Sequence, residues 1–187
     1  MRSRVAKGFN LIELMVVVAI IAILTIFAIP SFTQWIQNSR MRSVAESWEN
    51  GLRFAQGEAA RLNRVTTFTP SGTGWTVAYV QTTSDTTNTN APPNPLQQDA
   101  GAGGGTTTVT PATPISFNSF GRAGSTTGLF DSAGGNTNFV LAGADTAYLV
   151  KSSLTGTRRL QVVVSPAGKI RTCDPDKTLS ATTPDGC

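Results

Sequence analysis

Glu13 is the only charged residue in the nineteen-residue run from Leu11 to Ile29, LIELMVVVAIIAILTIFAI. A carboxylate inside a membrane segment is disfavoured by roughly 3 kcal/mol on insertion scales, so Glu13 needs a cationic partner. Histidine is absent, which removes Ser-His-Asp and Cys-His machinery, histidine-ligated metals and the usual base near neutral pH. The remaining residues offer no constellation of nucleophile, base and oxyanion donor, so the chain reads as a non-enzyme without a cofactor. Its two cysteines, Cys173 and Cys187, are too few for a four-thiolate zinc site, and no metal is expected.

The elements that place these residues begin with the apolar run. As a helix it extends roughly 28 Å at 1.5 Å per residue, close to the thickness of a bilayer core. Arg2, Arg4 and Lys7 precede it and no charge follows Glu13 until Arg40. The positive-inside rule then keeps the N-terminus in the cytoplasm and exports the rest, giving a single-pass inner-membrane topology with a periplasmic head. A cleaved secretory signal fits poorly, because Ala28-Ile29-Pro30-Ser31 is a weak match to a small-residue cleavage site. Export also places Cys173 and Cys187 where a disulfide is the expected state, closing a thirteen-residue loop. The net charge of +4 carries little weight, since without the three leading cations the balance is 12 positive against 11 negative. Bulk charge is therefore no argument for a polyanionic partner.

After Pro30, which predicts a kink near residues 26 to 30, the helix resumes over 31–64. Apolar residues recur there at Met41, Val44, Trp48, Leu52, Ala55, Ala59 and Leu62, in steps of three or four. Arg42, Glu46, Glu49, Arg53, Arg61 and Arg64 take the other faces, the pattern of an amphipathic helix lying on a sheet. Gly51 and Gly57 weaken it locally. Beyond residue 64 the composition turns to Thr, Val, aromatics and Gly. Strand-like runs fall at Val65–Thr69, Gly74–Val80, Pro114–Asn118, Asn138–Ala142, Ala147–Lys151 and Arg159–Ser165. Between them, Gln81 to Thr113 is rich in Thr, Asn, Pro and Gly and predicts a long mobile loop. The fold class expected is α+β: a long N-terminal helix, membrane-spanning in its first half and amphipathic in its second, packed on a C-terminal antiparallel sheet or sandwich.

The segment KGFNLIELMVVVAIIAILTIFAIP resembles the class III leader and N-terminal helix of type IV pilins and type II secretion pseudopilins. Further on, FAQGEAARLNRVTTF, GWTVAYV, ISFNSFGRAG and RRLQVVVSPAGKIRTC resemble GspH/FimT-type minor pilins. The resemblance covers most of the chain outside Gln81 to Thr113. It implies a leader at 1–8, a filament-core helix at 9–30, an amphipathic helix at 31–64 and a β-rich head at 65–187. It also implies that a prepilin peptidase cuts between Gly8 and Phe9 and methylates the new N-terminus at Phe9. The α-amine so created lies one helical turn from Glu13 and neutralises it, on its own chain or a neighbour's. Asn10 stands where the family usually has Thr. Other pilins or pseudopilins are the implied partners, in a filament that carries the head to the cell surface. The alternative within the family is a type II secretion pseudopilin that binds no DNA.

Some FimT-like proteins bind DNA during natural transformation through a C-terminal GRxR motif. Gly168-Lys169-Ile170-Arg171 matches it with lysine for the first arginine, which keeps a point charge but loses the planar fork. In an extended strand Lys169 and Arg171 share one side, about 6 to 7 Å apart, comparable to the phosphate spacing along a strand. Arg158 and Arg159 would extend the patch to four cations, and Asp174 and Asp176 would dilute it. DNA binding of this kind is backbone-directed, salt-sensitive and indifferent to sequence.

Overall fold

Helix α1, Leu11–Leu62, starts where the Asn10 carbonyl accepts from the backbone N–H groups of Glu13 and Leu14 at 3.0 and 3.3 Å. It ends at Asn63, whose φ of 51° is the left-handed conformation that commonly closes a helix. Arg64 N–H then caps the Ala59 carbonyl at 3.1 Å. The computed structural model describes residues 10–101, 105–128 and 139–187, with the side chains of 27–30 set aside. The kink expected at Pro30 falls on those side chains and lies outside the described residues. The chain divides into two units, Met1–Ile36 and Gln37–Cys187.

In the first unit the described apolar side chains from Leu11 to Ile26 are all exposed. Among the described residues no single helix is long and apolar enough to cross a membrane, whereas Leu11–Ile26 and Ser31–Leu62 satisfy length and composition as a pair. Phe32 and Trp35 stack at 6.0 Å.

The second unit holds two antiparallel sheets. The first has the order β3-β2-β1-β5-β6-β7, built from β1 (Thr66–Ser71), β2 (Gly74–Tyr79), β3 (Gln97–Asp99), β5 (Ile115–Phe117), β6 (Ala123–Thr126) and β7 (Phe139–Leu141). The second has the order β10-β9-β8-β4, from β4 (Thr107–Thr110), β8 (Thr146–Ser152), β9 (Leu160–Val164) and β10 (Ile170–Cys173). This is the α+β architecture expected, and six of the ten strands lie on the predicted runs.

The helical stripe fills the space that both sheets share. Met41, Val44, Trp48, Leu52, Ala55 and Ala59 are buried, while Leu62 is only partly covered. Trp48 meets Phe68 of β1 at 5.3 Å and Tyr148 of β8 at 5.2 Å between ring centroids, and its indole N–H donates to the Thr73 carbonyl at 2.7 Å. Replacing such a side chain by alanine costs about 3–5 kcal/mol. Gly51 acquires a purpose here, since a Cβ on it would lie 2.5 Å from the Trp75 indole. The helix sacrifices propensity at this position so that a second tryptophan can lie against its backbone.

Gln81 to Thr113 differs from the mobile loop expected of it. Among its described residues are helix α2 (Thr83–Thr87), β3 and β4. Asp85 accepts from the Thr82 N–H at 2.7 Å and is ion-paired with Arg64. Tyr79 donates its hydroxyl to the Pro92 carbonyl at 3.1 Å, and Leu96 N–H donates to Val77 at 2.8 Å. Strand β4 pairs with β8 and buries Thr107 and Val109. Polar strands this short have no hydrophobic run of their own. Their partners β2 and β8 supply the backbone hydrogen bonds that hold them.

Candidate functional site

Strand β10 carries the GKIR segment. Its register with β9 sets Ile170 opposite Val164, Arg171 opposite Val163 and Thr172 opposite Val162. Alternation turns Ile170 and Thr172 toward α1, where the Thr172 hydroxyl donates to Glu49 at 2.8 Å. Arg171 lies on the opposite face of the sheet, and Lys169 shares its parity just before the strand begins. Burial pushes the Glu49 carboxyl up, and hydrogen bonds from Arg53 and Thr172 outweigh it, so its pKa falls below the usual range.

The four cations expected to form one patch separate into two pairs. Arg158 bonds Asp174 at 2.7 Å, and this hydrogen bond, opposed by burial, holds the Asp174 carboxyl below its ordinary range. Arg159 is ion-paired with Asp176. Both arginines are thus spent within the head. Lys169 and Arg171 form no ion pair among the described residues. The carboxylates expected to dilute the patch instead neutralise half of it directly.

The tail that follows is closed by the Cys173–Cys187 disulfide, with Cα atoms 5.2 Å apart. Cys187 N–H donates to the carbonyls of Asp174 and Lys177 at 3.2 and 3.0 Å. Lys177 pairs with Asp185 at 2.5 Å. A cleft of about 180 Å³ beside it is lined by Asn38, Met41, Arg42, Arg158, Leu160 and Asp174, among others.

Gly168 is held by more than turn geometry. Its φ is +85°, and a Cβ there would stand 1.9 Å from the Gly121 carbonyl oxygen. Gln56 of α1 donates its amide to the Gly121 and Gly168 carbonyls at 2.7 and 2.9 Å. One side chain thereby staples the β5–β6 turn to the β9–β10 turn. Arg122, exposed on the first of these turns, was not anticipated from the sequence. The FGRA segment offered a signal only in hindsight, because nothing local reports that it meets Gly168.

The model of the family described as Type II transport protein GspH matches residues 44–168 of this chain. The chain belongs to the GspH family. A second family model, the Prokaryotic N-terminal methylation motif, matches residues 3–29, so this GspH-family chain carries that motif ahead of its head. Its structure is similar to the type IV minor pilin FimU of Pseudomonas aeruginosa, with a TM-score of 0.53, 15% identity, and coverage of 82% of this chain and 98% of that one. That likeness shows the fold. Curated relatives include type IV major fimbrial proteins FimA from Dichelobacter nodosus. One is 41% identical over 68 residues, or 36% of this chain and 42% of the relative. Another is 62% identical over 56 residues, or 30% of this chain and 31% of the relative. The chain thus spans less than half the length of these relatives. Gly8 and Phe9 lie outside the described residues, and Glu13 sits in the exposed first turn of α1.

Proposed function

We propose that this chain is a minor type IV pilin, cut by a prepilin peptidase between Gly8 and Phe9, methylated at Phe9 and assembled among other pilins in the initiating or tip complex. The observation that carries this reading is the methylation motif over residues 3–29 joined to a GspH-type head. In this reading the precursor lies in the inner membrane with its N-terminus cytoplasmic and its head periplasmic. The new α-amine at Phe9 neutralises Glu13 within the apolar filament core, where a lone carboxylate would be costly. The molecule catalyses no reaction and holds no cofactor. Mass analysis of the membrane-extracted chain tests the processing: a methylated N-terminal Phe9 is expected, and an intact leader overturns it.

The head also binds DNA in this proposal, through Lys169 and Arg171 rather than Arg158 and Arg159. The support is electrostatic: the latter pair face Asp174 and Asp176, so only the former offer uncompensated charge to phosphates. A deletion scored in parallel for surface pili and DNA uptake separates the roles. Loss of uptake with pili retained supports DNA capture, and loss of both supports assembly. The family name favours one other reading, a type II secretion pseudopilin without DNA affinity. Loss of protein secretion with pili and uptake intact would establish that reading instead.

A further inference from the structure

Phe120 is 89% exposed, more than any other large apolar side chain among the described residues. Its backbone is firmly held. Asn118 Oδ1 accepts from the N–H groups of Phe120 and Arg122 at 3.1 and 2.9 Å. The Asn118 carbonyl accepts from Gly121 at 2.8 Å, and Asn118 N–H donates to Arg122 at 3.1 Å. Gly121 takes the positive φ of 74° that this tight turn requires. A rigid turn therefore presents an aromatic ring to solvent, where it gains nothing from burial in the head.

The Gln56 staple sets that ring beside the second turn. Gly121 and Gly168 are in backbone contact, so Phe120 and Arg122 flank one partner of the contact and Lys169 follows the other. Neither Arg122 nor Lys169 forms an ion pair among the described residues. We propose that Phe120, Arg122 and Lys169 form one platform that takes single-stranded DNA, the ring stacking on an unpaired base while the two cations meet the flanking phosphates. This deepens, and rests on, the reading of the head as DNA-binding.

The ring is what selects the strand form. Cations alone serve duplex and single strand alike, because both present phosphates. A duplex keeps the faces of its bases stacked on one another, whereas an unpaired base offers a free π-face to an aromatic side chain. Stacking tolerates any sequence, so the platform favours single strands without reading bases.

The test is fluorescence anisotropy of the full chain in detergent with labelled dT20 and with a 20-base-pair duplex. Phe120→Ala should weaken dT20 binding roughly tenfold, as expected for one stacked base, and leave duplex binding within about twofold. Phe120→Tyr should retain the wild-type preference. Arg122→Gln with Lys169→Gln should flatten the salt dependence on dT20 by about 1.4 in log–log slope, at roughly 0.7 per phosphate contact. Two outcomes overturn the platform while leaving DNA binding in place: Phe120→Ala without effect on either probe, or with equal loss on both. If polyglutamate competes as well as dT20 and is equally insensitive to Phe120, the platform is an acidic-protein contact and the proposal falls. Failure of the wild-type chain to retain either DNA probe removes the DNA reading and the platform together.

Discussion

Replacing Gly168 by alanine probes the junction that positions Lys169. The native φ of +85° disfavours any L side chain by about 1–2 kcal/mol. The added Cβ would also lie 1.9 Å from the Gly121 carbonyl oxygen and 2.5 Å from the Gln56 amide nitrogen. The carbonyl belongs to backbone, so the turns must separate and the two Gln56 hydrogen bonds are lost, at about 1 kcal/mol each. The expected destabilisation is roughly 3–4 kcal/mol, from the strained φ and the two lost bonds taken together. Urea unfolding of the full chain in detergent, followed by fluorescence of the buried Trp48 and Trp75, reads it directly. With a urea slope of about 2 kcal/mol/M, the midpoint should fall by about 1.5–2 M. Gly57→Ala is the matched control, because Gly57 is helical and nothing lies within 4 Å of the place its Cβ would take; it should gain about 0.5–1 kcal/mol. A loss below about 1 kcal/mol for Gly168→Ala would refute the close junction, since strain at φ alone reaches that figure.

Three further outcomes follow from the head. Cys187→Ser should lower stability by about 3 kcal/mol, the loop-closure value for a bridge of this span, read as a drop in the same urea midpoint; an unchanged midpoint would show that the tail unfolds independently. Ser47→Ala removes the acceptor of the Trp75 indole N–H, 3.0 Å away, and a donor to Asp99, so a loss of about 1–3 kcal/mol is expected in that assay. The Asp174 carboxyl, lowered chiefly by its hydrogen bond from Arg158, contributes stability above the ordinary carboxylate range and loses it as pH falls through the lowered native value. Wild-type and Arg158→Gln stability curves should therefore differ near neutrality and converge below about pH 4, and curves that stay parallel would place the effect elsewhere.

Much of the fold was legible because its signals are local or periodic. The apolar run with a lone Glu13, the three- and four-residue steps from Met41 to Ala59, and the β-branched runs of β8 and β9 each declare their element through composition. The cysteine pair was legible as well, given the export direction that the leading cations imply. What composition could not convey depends on residues far apart in the chain. Strands β3 and β4 are short and polar, and exist as strands only through pairing with β2 and β8. Gly51 reads as a weak point of the helix and Gly168 only as the start of a basic motif, yet each clears space for a distant group, the Trp75 indole or the Gly121 carbonyl.

The candidate site divides in the same way. The resemblance of GKIR to the GRxR motif of FimT-like proteins singled out Lys169 and Arg171, and the sequence placed Arg158, Arg159, Asp174 and Asp176 near them. Which cations remain uncompensated was settled by the chain's folding, which brings Arg158 to Asp174 and Arg159 to Asp176 across the β9–β10 hairpin. Arg122 and Phe120 joined Lys169 only because Gln56, on a helix more than sixty residues upstream of both, holds their two turns together. A charge is present in the sequence, but its availability depends on the three-dimensional arrangement of opposite charges, because ion pairing falls off with distance in space and is blind to distance along the chain.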